Sequence, residues 1–514
     1  MSIVTSNRSH HGITPDGPEL LPLDAGEQYR FSFAMDSCIG CHSCEVACAE
    51  QNGNPVGVNW RTVGEVEGGT FPDTRRFSIS MACNHCLEPE CLTGCPTNAY
   101  IKLSNGVVQH HADDCIGCRY CMWNCPYDVP VFNSTRRIVT KCDLCQPRLS
   151  VGMNPACVEA CPTHAINVEK VDVAAWRREH AAADAPGLPP SDITISTTRI
   201  VVSERMPAQL VVADHHRVEP EDPHWPLVFL TLLSQIALGA VAATAVIHSI
   251  SAITDVDHAV TTGALSRSAW VGFVISALAL GASIFHLGRP AHAWKAMRNL
   301  RTSWLSREVA LLGAFSGTAL LYALAQAVSA PAISVVVPAG LLATALGAAG
   351  VFASGRLYLI RARPMWNSPR TIVGFFASAL TMGPLVVVLA FDPAIDPAWW
   401  NRALLPAAAA GLALQSGVTR HLLRTASGNP AREFRGAAIL LQGRFVAIRQ
   451  ARAALTTVAV VGLLTASISK GEEIVVFAAG AFVCALAADV IGRHLFYATV
   501  VPMRPPGRFF GHDR

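Results

Sequence analysis

Sixteen of the chain's 17 cysteines lie between Cys38 and Cys161, in four groups of four. Group one is Cys38, Cys41, Cys44 and Cys48; group two is Cys83, Cys86, Cys91 and Cys95. Group three is Cys115, Cys118, Cys121 and Cys125, within CIGCRYCMWNCP, and group four is Cys142, Cys145, Cys157 and Cys161. A C-x2-C-x2-C turn lets three sulfurs converge on one face of an iron–sulfur cubane while the fourth cysteine leads away on a short helix. In two-cluster ferredoxins that fourth cysteine serves the other cluster, so groups work in pairs. Four groups therefore predict four [4Fe–4S] clusters. The alternative, a set of four-cysteine zinc ribbons in a metal-binding or redox-sensing protein, would lack the C-x3-C-P tail and the paired arrangement. Proline follows the last cysteine in three groups (Pro96, Pro126, Pro162), whereas group one continues with Ala49. Spacing alone leaves open which groups pair.

These thiolates need a scaffold, and the intervening chain supplies short alternating segments such as RFSIS (76–80) and GVVQHH (106–111). They read as small strands over the clusters, giving an α+β, bacterial-type ferredoxin-like domain over residues 31–170. Residues 1–30 form an N-terminal tail with no continuous apolar stretch and no paired arginines, which argues against an export signal. Clustered cysteines in a reducing compartment favour metal sites over disulfides. Residues 171–224, rich in Pro, Asp and Ala, read as a linker, as a plain tether or with one docking strand at RIVVS (199–203).

The composition then changes. Half of all residues are hydrophobic (51%), 15% are charged, and the net charge is only +3, which gives no argument for a nucleic-acid partner. The long apolar runs all follow Trp225. Eight approach the roughly 17–25 residues a bilayer requires: 226–250, 268–287, 308–329, 333–355, 372–391, 403–419, 454–469 and 474–498. Residues 225–500 are thus an all-α integral membrane bundle of about eight helices, and 501–514 a C-terminal tail. The loops after spans two, four and six are basic (Arg289 to Arg307, Arg356 to Arg370, Arg420 to Arg452). The opposite loops carry Asp255, Asp257, Asp392, Asp396, Glu472 and Glu473. By the positive-inside rule, the cluster domain faces the cytoplasm from the inner membrane.

Two resemblances follow from these motifs. Residues 31 to about 200, with their four cysteine groups, resemble the four-cluster electron-transfer subunit of dimethyl sulfoxide reductase and its molybdoenzyme relatives. HWPLVFLTLLSQ (224–235), FHLGRPAHAWKAMRNLRTSWLSREV (285–309) and IGRHLFYATVVPM (491–503) look like that enzyme's membrane anchor. In that family the two are usually separate chains; here they look fused. The resemblance implies four cysteine sets: Cys38, Cys41, Cys44 and Cys161; Cys142, Cys145, Cys157 and Cys48; Cys83, Cys86, Cys91 and Cys125; Cys115, Cys118, Cys121 and Cys95. It also implies that the Cys142 set lies nearest the membrane and the Cys38 set nearest a molybdenum centre. That centre would belong to a separate molybdopterin catalytic subunit, since the ferredoxin region and eight spans leave no room for a pterin domain.

An anchor that feeds such clusters needs a lipid-soluble two-electron carrier, a quinone or menaquinone, and intramembrane ionisable residues mark its site. His286, at the end of span two, either faces headgroups or binds quinol; the family's quinol site includes the histidine of this HLG motif. Glu308 could simply favour a helix N-terminus behind Ser306, and the family implicates it too. Asp489 and Arg493, four apart, read as a structural ion pair rather than a proton path; Cys484 reads as packing and Gln235 as an interhelical contact. The expected function is electron transfer and membrane anchoring for a dimethyl sulfoxide reductase-like enzyme of anaerobic respiration. The alternative is the same role in an oxidising complex, such as a cytoplasmic sulfite dehydrogenase feeding quinone.

Overall fold

A computed structural model describes residues 22–506 apart from 208–209, 214, 216, 254–257, 328–332 and 391–398. Asp255, Asp257, Asp392 and Asp396, expected in acidic loops, lie outside the described residues.

The cysteine region is organised by short strands. β1 (Glu27–Ala34), β8 (Ile166–Asp172) and β9 (Arg199–Val201) form one sheet in the order β8-β1-β9. β2 (Thr62–Thr70), β3 (Asp73–Met81) and β10 (Leu210–Val212) form a second, ordered β10-β2-β3. Two hairpins, β4 (Tyr100–Lys102) with β5 (Val108–His110) and β6 (Val131–Asn133) with β7 (Ile138–Thr140), sit over the inner cysteine groups. β1 alternates inward and outward, and Phe31 and Phe33 face Val168 and Ile166 across the antiparallel β1–β8 pair. Phe31, Phe33, Ile79, Val107 and Ile166 pack with Cys44, Cys83, Cys86, Cys142, Cys157 and Cys161 in one buried cluster. So small a sheet buries little apolar surface by itself, and the cysteines complete its core.

Residues 171–224 are packed rather than a free tether. β9 pairs in parallel with β1 (Phe33↔Ile200), β10 pairs with β2, and Trp176 is buried with its indole N–H donating to Ser196 O at 2.9 Å. The RIVVS segment (199–203) marked β9 as a docking strand, whereas β10 is only three residues long, too short for an alternating pattern to register.

Among the described residues the membrane half has eight long helices: Trp225–Ile253, His258–Ile284, Trp304–Ala327, Ile333–Leu357, Pro369–Ala390, Trp399–Gly428, Val446–Ile468 and Glu472–Ala498. Among the described residues, seven helices are long and apolar enough to cross a bilayer; the sixth long helix is not among them, its apolar stretch (403–419) being much shorter than the helix. A shorter helix, Arg432–Gln442, lies between the sixth and seventh. The first and fifth long helices cross in backbone contact at Gly239 and Gly383, where a Cβ on either glycine would collide with the other helix. Small residues at such crossings allow close packing in a membrane, where lipid is as apolar as the helix surface.

The two halves meet at one face. The backbone N–H groups of Gly288 and Arg289 donate to Gly117 O (3.3 Å) and Ile116 O (3.0 Å). Asn299 Nδ2 donates to Cys95 O at 2.9 Å, Ser303 Oγ to Gly94 O at 2.8 Å, and Tyr120 OH to Leu357 O at 2.8 Å. Arg361 pairs with Asp192 at 2.6 Å. The basic loops after the second and fourth long helices therefore share the cluster domain's face. Arg267, at the opposite end of the second long helix, caps Ala390 O at the end of the fifth.

Candidate iron–sulfur relay and quinol site

The loop geometry repeats from group to group. Each C-x2-C turn carries left-handed residues: His42, His85, Arg119, and Leu144 with Cys145. A second left-handed residue stands three positions after the last cysteine of groups two to four: Asn98, Asp128 and His164. This turn aims the next N–H back at sulfur, so Ala99 N reaches Cys95 Sγ at 3.3 Å and Ala165 N reaches Cys161 Sγ at 3.2 Å. Group one departs from the rule where its proline is missing. Cys48 lies inside the helix Ser43–Asn52, and Asn52 Nδ2 approaches its sulfur at 3.7 Å instead. Gly117 N to Cys115 Sγ (3.4 Å) and Leu144 N to Cys142 Sγ (3.4 Å) continue the pattern. N–H donors to sulfur stabilise thiolate and tune cluster potential.

Sulfur neighbours cross the sequence groups. Cys91 and Cys125 face one another with Cys83 and Cys86. Cys118 and Cys121 neighbour Cys115 and Cys95. Cys48 lies beside Cys157 and Cys145, with Cys142 in range, and Cys38 lies beside Cys41 and Cys161. Cys44, expected in the last of these sets, has Cys157 as its sulfur neighbour and so joins that set to the next. Among the described residues, no three His, Cys, Asp or Glu side chains are gathered as a single ion would need, whereas a cubane holds its sulfurs further apart.

Two buried cations test the fit. Arg61 is 2% exposed; its Nη1 donates to Ser80 Oγ at 3.0 Å, while Nε and Nη2 have no hydrogen-bond partner. The charges around it are the thiols of Cys157, Cys44, Cys142 and Cys48. Lys141, 4% exposed, approaches Cys83 Sγ at 3.6 Å and has Cys91 and Cys142 in range. A cation buried among neutral thiols would be prohibitively costly, whereas anionic thiolate-ligated iron–sulfur groups balance it. The residues fit the group.

The order of the sets differs in one respect from the family expectation. Cys41 is exposed at one end. Cys44 leads to Cys157, Cys142 to Cys83, and Tyr100 lies between Cys91 and the pair Cys95 and Cys121. The set of Cys95, Cys115, Cys118 and Cys121 therefore lies against the membrane helices, and the set of Cys142, Cys145, Cys157 and Cys48 lies further in. The reason is steric. Docking requires backbone to pass backbone at Gly117 and Gly288, where a Cβ on either would strike Arg137 O, and the group-three loop supplies a glycine at that contact.

His286 lies at this junction, half-buried, with Nε2 donating to Cys118 O at 3.0 Å. That bond leaves Nδ1 as the acceptor. The His286 ring lies 6.4 Å from Trp123 and 5.3 Å from His224. Glu308, buried at 3%, neighbours Tyr120, Tyr358 and Tyr497, whose rings pack around Trp123. The two candidates thus flank one aromatic cluster. Trp123 and His224 were missed by sequence reasoning; the signal was present, an aromatic within a cysteine group and a histidine one residue before the first long helix. Asp489 and Arg493 are not an ion pair. Arg493 donates to Gln235 Oε1 (2.6 Å) and Ser378 Oγ (3.2 Å), and Asp489 accepts from Gln415 Nε2 at 3.3 Å.

Fold and site define a class: an iron–sulfur electron-transfer protein built onto a multi-pass membrane anchor. Residues 221–499 match the family described as DMSO reductase anchor subunit (DmsC), and this protein belongs to that family. Residues 75–171 match a 4Fe-4S dicluster domain. One component of the anaerobic dimethyl sulfoxide reductase of Haemophilus influenzae is 38% identical over 177 residues, 33% of this chain and 86% of the relative. Its counterpart in Escherichia coli K12 is 37% identical over 167 residues, 31% of this chain and 82% of the relative. A sulfite dehydrogenase component from Allochromatium vinosum is 37% identical over 153 residues, 26% of this chain and 64% of the relative.

Proposed function

We propose that this chain carries electrons between a membrane quinol, menaquinol or its quinone, and a separate molybdopterin catalytic subunit of the dimethyl sulfoxide reductase type. Four [4Fe–4S] clusters, held by the four cysteine sets above, would form the relay. The observation that carries this reading is the unbroken succession of sulfur sets from exposed Cys41 to His286 at the membrane face. A cluster, when bound, supplies reversible one-electron transfer. The chain's residues supply the rest. Arg61 and Lys141 compensate charge, backbone N–H groups point at the sulfurs, and His286, with Nε2 on Cys118 O, offers Nδ1 as acceptor for a quinol hydroxyl. Phe285, 82% exposed beside His286, marks a lipid-side approach. At the far end, exposed Ile39 (67%) and Val46 (62%) around Cys41 suit docking of the catalytic subunit. The basic face supports a cytoplasmic cluster domain on the inner membrane.

The test uses the anaerobically purified complex. Cluster reduction by menaquinol should fall at least tenfold in His286→Ala while reduction by dithionite is unchanged; equal quinol rates in both proteins would remove His286 from the site. The second reading, an oxidising complex delivering electrons to quinone, is favoured by similarity to the sulfite dehydrogenase component. Turnover with reduced dye and dimethyl sulfoxide supports the first reading, and sulfite-dependent quinone reduction the second.

A further inference from the structure

The membrane half also holds a cleft away from His286. It opens among the fifth to eighth long helices with about 900 Å³ of empty space, counting its open mouth. Four arginines line it, Arg370, Arg449, Arg452 and Arg493, against one carboxylate, Asp489. Among the described residues none of the four makes an ion pair as close as 4.0 Å, and Asp489 is the carboxylate neighbour of Arg452 and Arg493. Arg493 bonds only to Gln235 and Ser378, and Arg452 to Ala488 O (3.2 Å) and Thr419 Oγ1 (2.9 Å). Arg449 Nε reaches Leu441 O at 3.3 Å.

The fold adds to the positive potential. Arg370 is the second residue of the helix Pro369–Ala390, and Arg449 the fourth of Val446–Ile468. Both stand in the first turn, where the helix dipole is itself positive. These ends lie on the cluster-domain face, at the start of apolar helices long enough to cross a bilayer. Asp489 is deeper, roughly 14 Å along the last helix from its end at Ala498. The remaining wall is apolar: Val418, Leu422 and Leu441.

We propose that this cleft is a binding site for the phosphate headgroup of an anionic phospholipid, with Arg370, Arg449 and Arg452 on the phosphate and an acyl chain along Leu422 and Leu441. Guanidinium groups hold phosphate through paired charge-assisted hydrogen bonds, and basic pockets between membrane helices take anionic headgroups. A neutral quinone ring would leave the excess positive charge unbalanced. A free phosphate ion would leave the apolar wall unused. The inference does not depend on the direction of electron flow.

Native mass spectrometry of the purified full-length protein tests it, with dioleoyl phosphatidylglycerol, dioleoyl phosphatidylcholine and inorganic phosphate added separately. Phosphatidylglycerol should be retained preferentially, and Arg370→Gln with Arg449→Gln should weaken it by roughly fivefold per arginine removed. Arg75→Gln with Arg76→Gln, on an exposed hairpin, should leave it unchanged. Equal retention of the two lipids overturns the proposal. So does binding of inorganic phosphate without preference for phosphatidylglycerol, or occupancy of the cleft by quinone. The lipid comparison on the unaltered protein stands whether or not the double variant folds.

Discussion

Lys141 is a cation placed among sulfurs of two sets, and its charge favours the reduced state of whatever they hold. Lys141→Met should lower the potential of the adjacent clusters by roughly 100 mV, the Coulomb scale for a unit charge several ångströms away in partly buried surroundings. A redox titration followed by electron paramagnetic resonance measures this, and an unchanged potential would separate Lys141 from the relay. Cys125 makes a different prediction. Because its sulfur faces Cys83, Cys86 and Cys91, Cys125→Ser should cost about one cluster's iron and alter the signal also altered by Cys83→Ser. The signal altered by Cys115→Ser should survive. The four cysteine groups were legible from spacing, since their period is local. Arg61 and Lys141 were not, because their role arises when residues distant in the chain, such as Arg61 and Cys157 or Lys141 and Cys83, are buried together.

Among elements, the loop between the second and third long helices does the joining. Its backbone pairs with the group-three loop through Gly288 and Arg289, and side chains Asn299 and Ser303 hold the carbonyls of Cys95 and Gly94. Gly288→Val should force the two backbones apart at a cost of about 1–3 kcal/mol. Quinol-dependent cluster reduction should fall sharply while dithionite-reducible iron is retained; unchanged quinol kinetics would show that electrons enter elsewhere. Apolar length located the long helices because bilayer thickness sets it. Strand β9 was legible in RIVVS as one of two readings of the linker, whereas β10 was hidden in a Pro-rich segment. Only pairing with β1 and β2 makes them strands, and composition does not report pairing.

At the scale of the whole molecule, eight antiparallel helices would return the chain to the cluster-domain face, although the sixth is less apolar than the other seven. Single-cysteine labelling resolves the topology: Lys470→Cys should react with an impermeant maleimide from outside the cell, and Ala431→Cys only after lysis. Reaction of both from outside would invert the orientation. The sequence by itself determined the chemistry class, the two-part organisation and the basic face, because thiolate spacing, apolar run length and loop charge are local properties. The tertiary structure alone decided the order of the sulfur sets and which one meets the membrane. It also turned the expected Asp489–Arg493 pair into part of an arginine-lined cleft. Helical spacing brings those two residues to one face, but the direction of each side chain is set by neighbours on other helices, Gln235, Ser378 and Gln415, which no local pattern in the sequence connects to them.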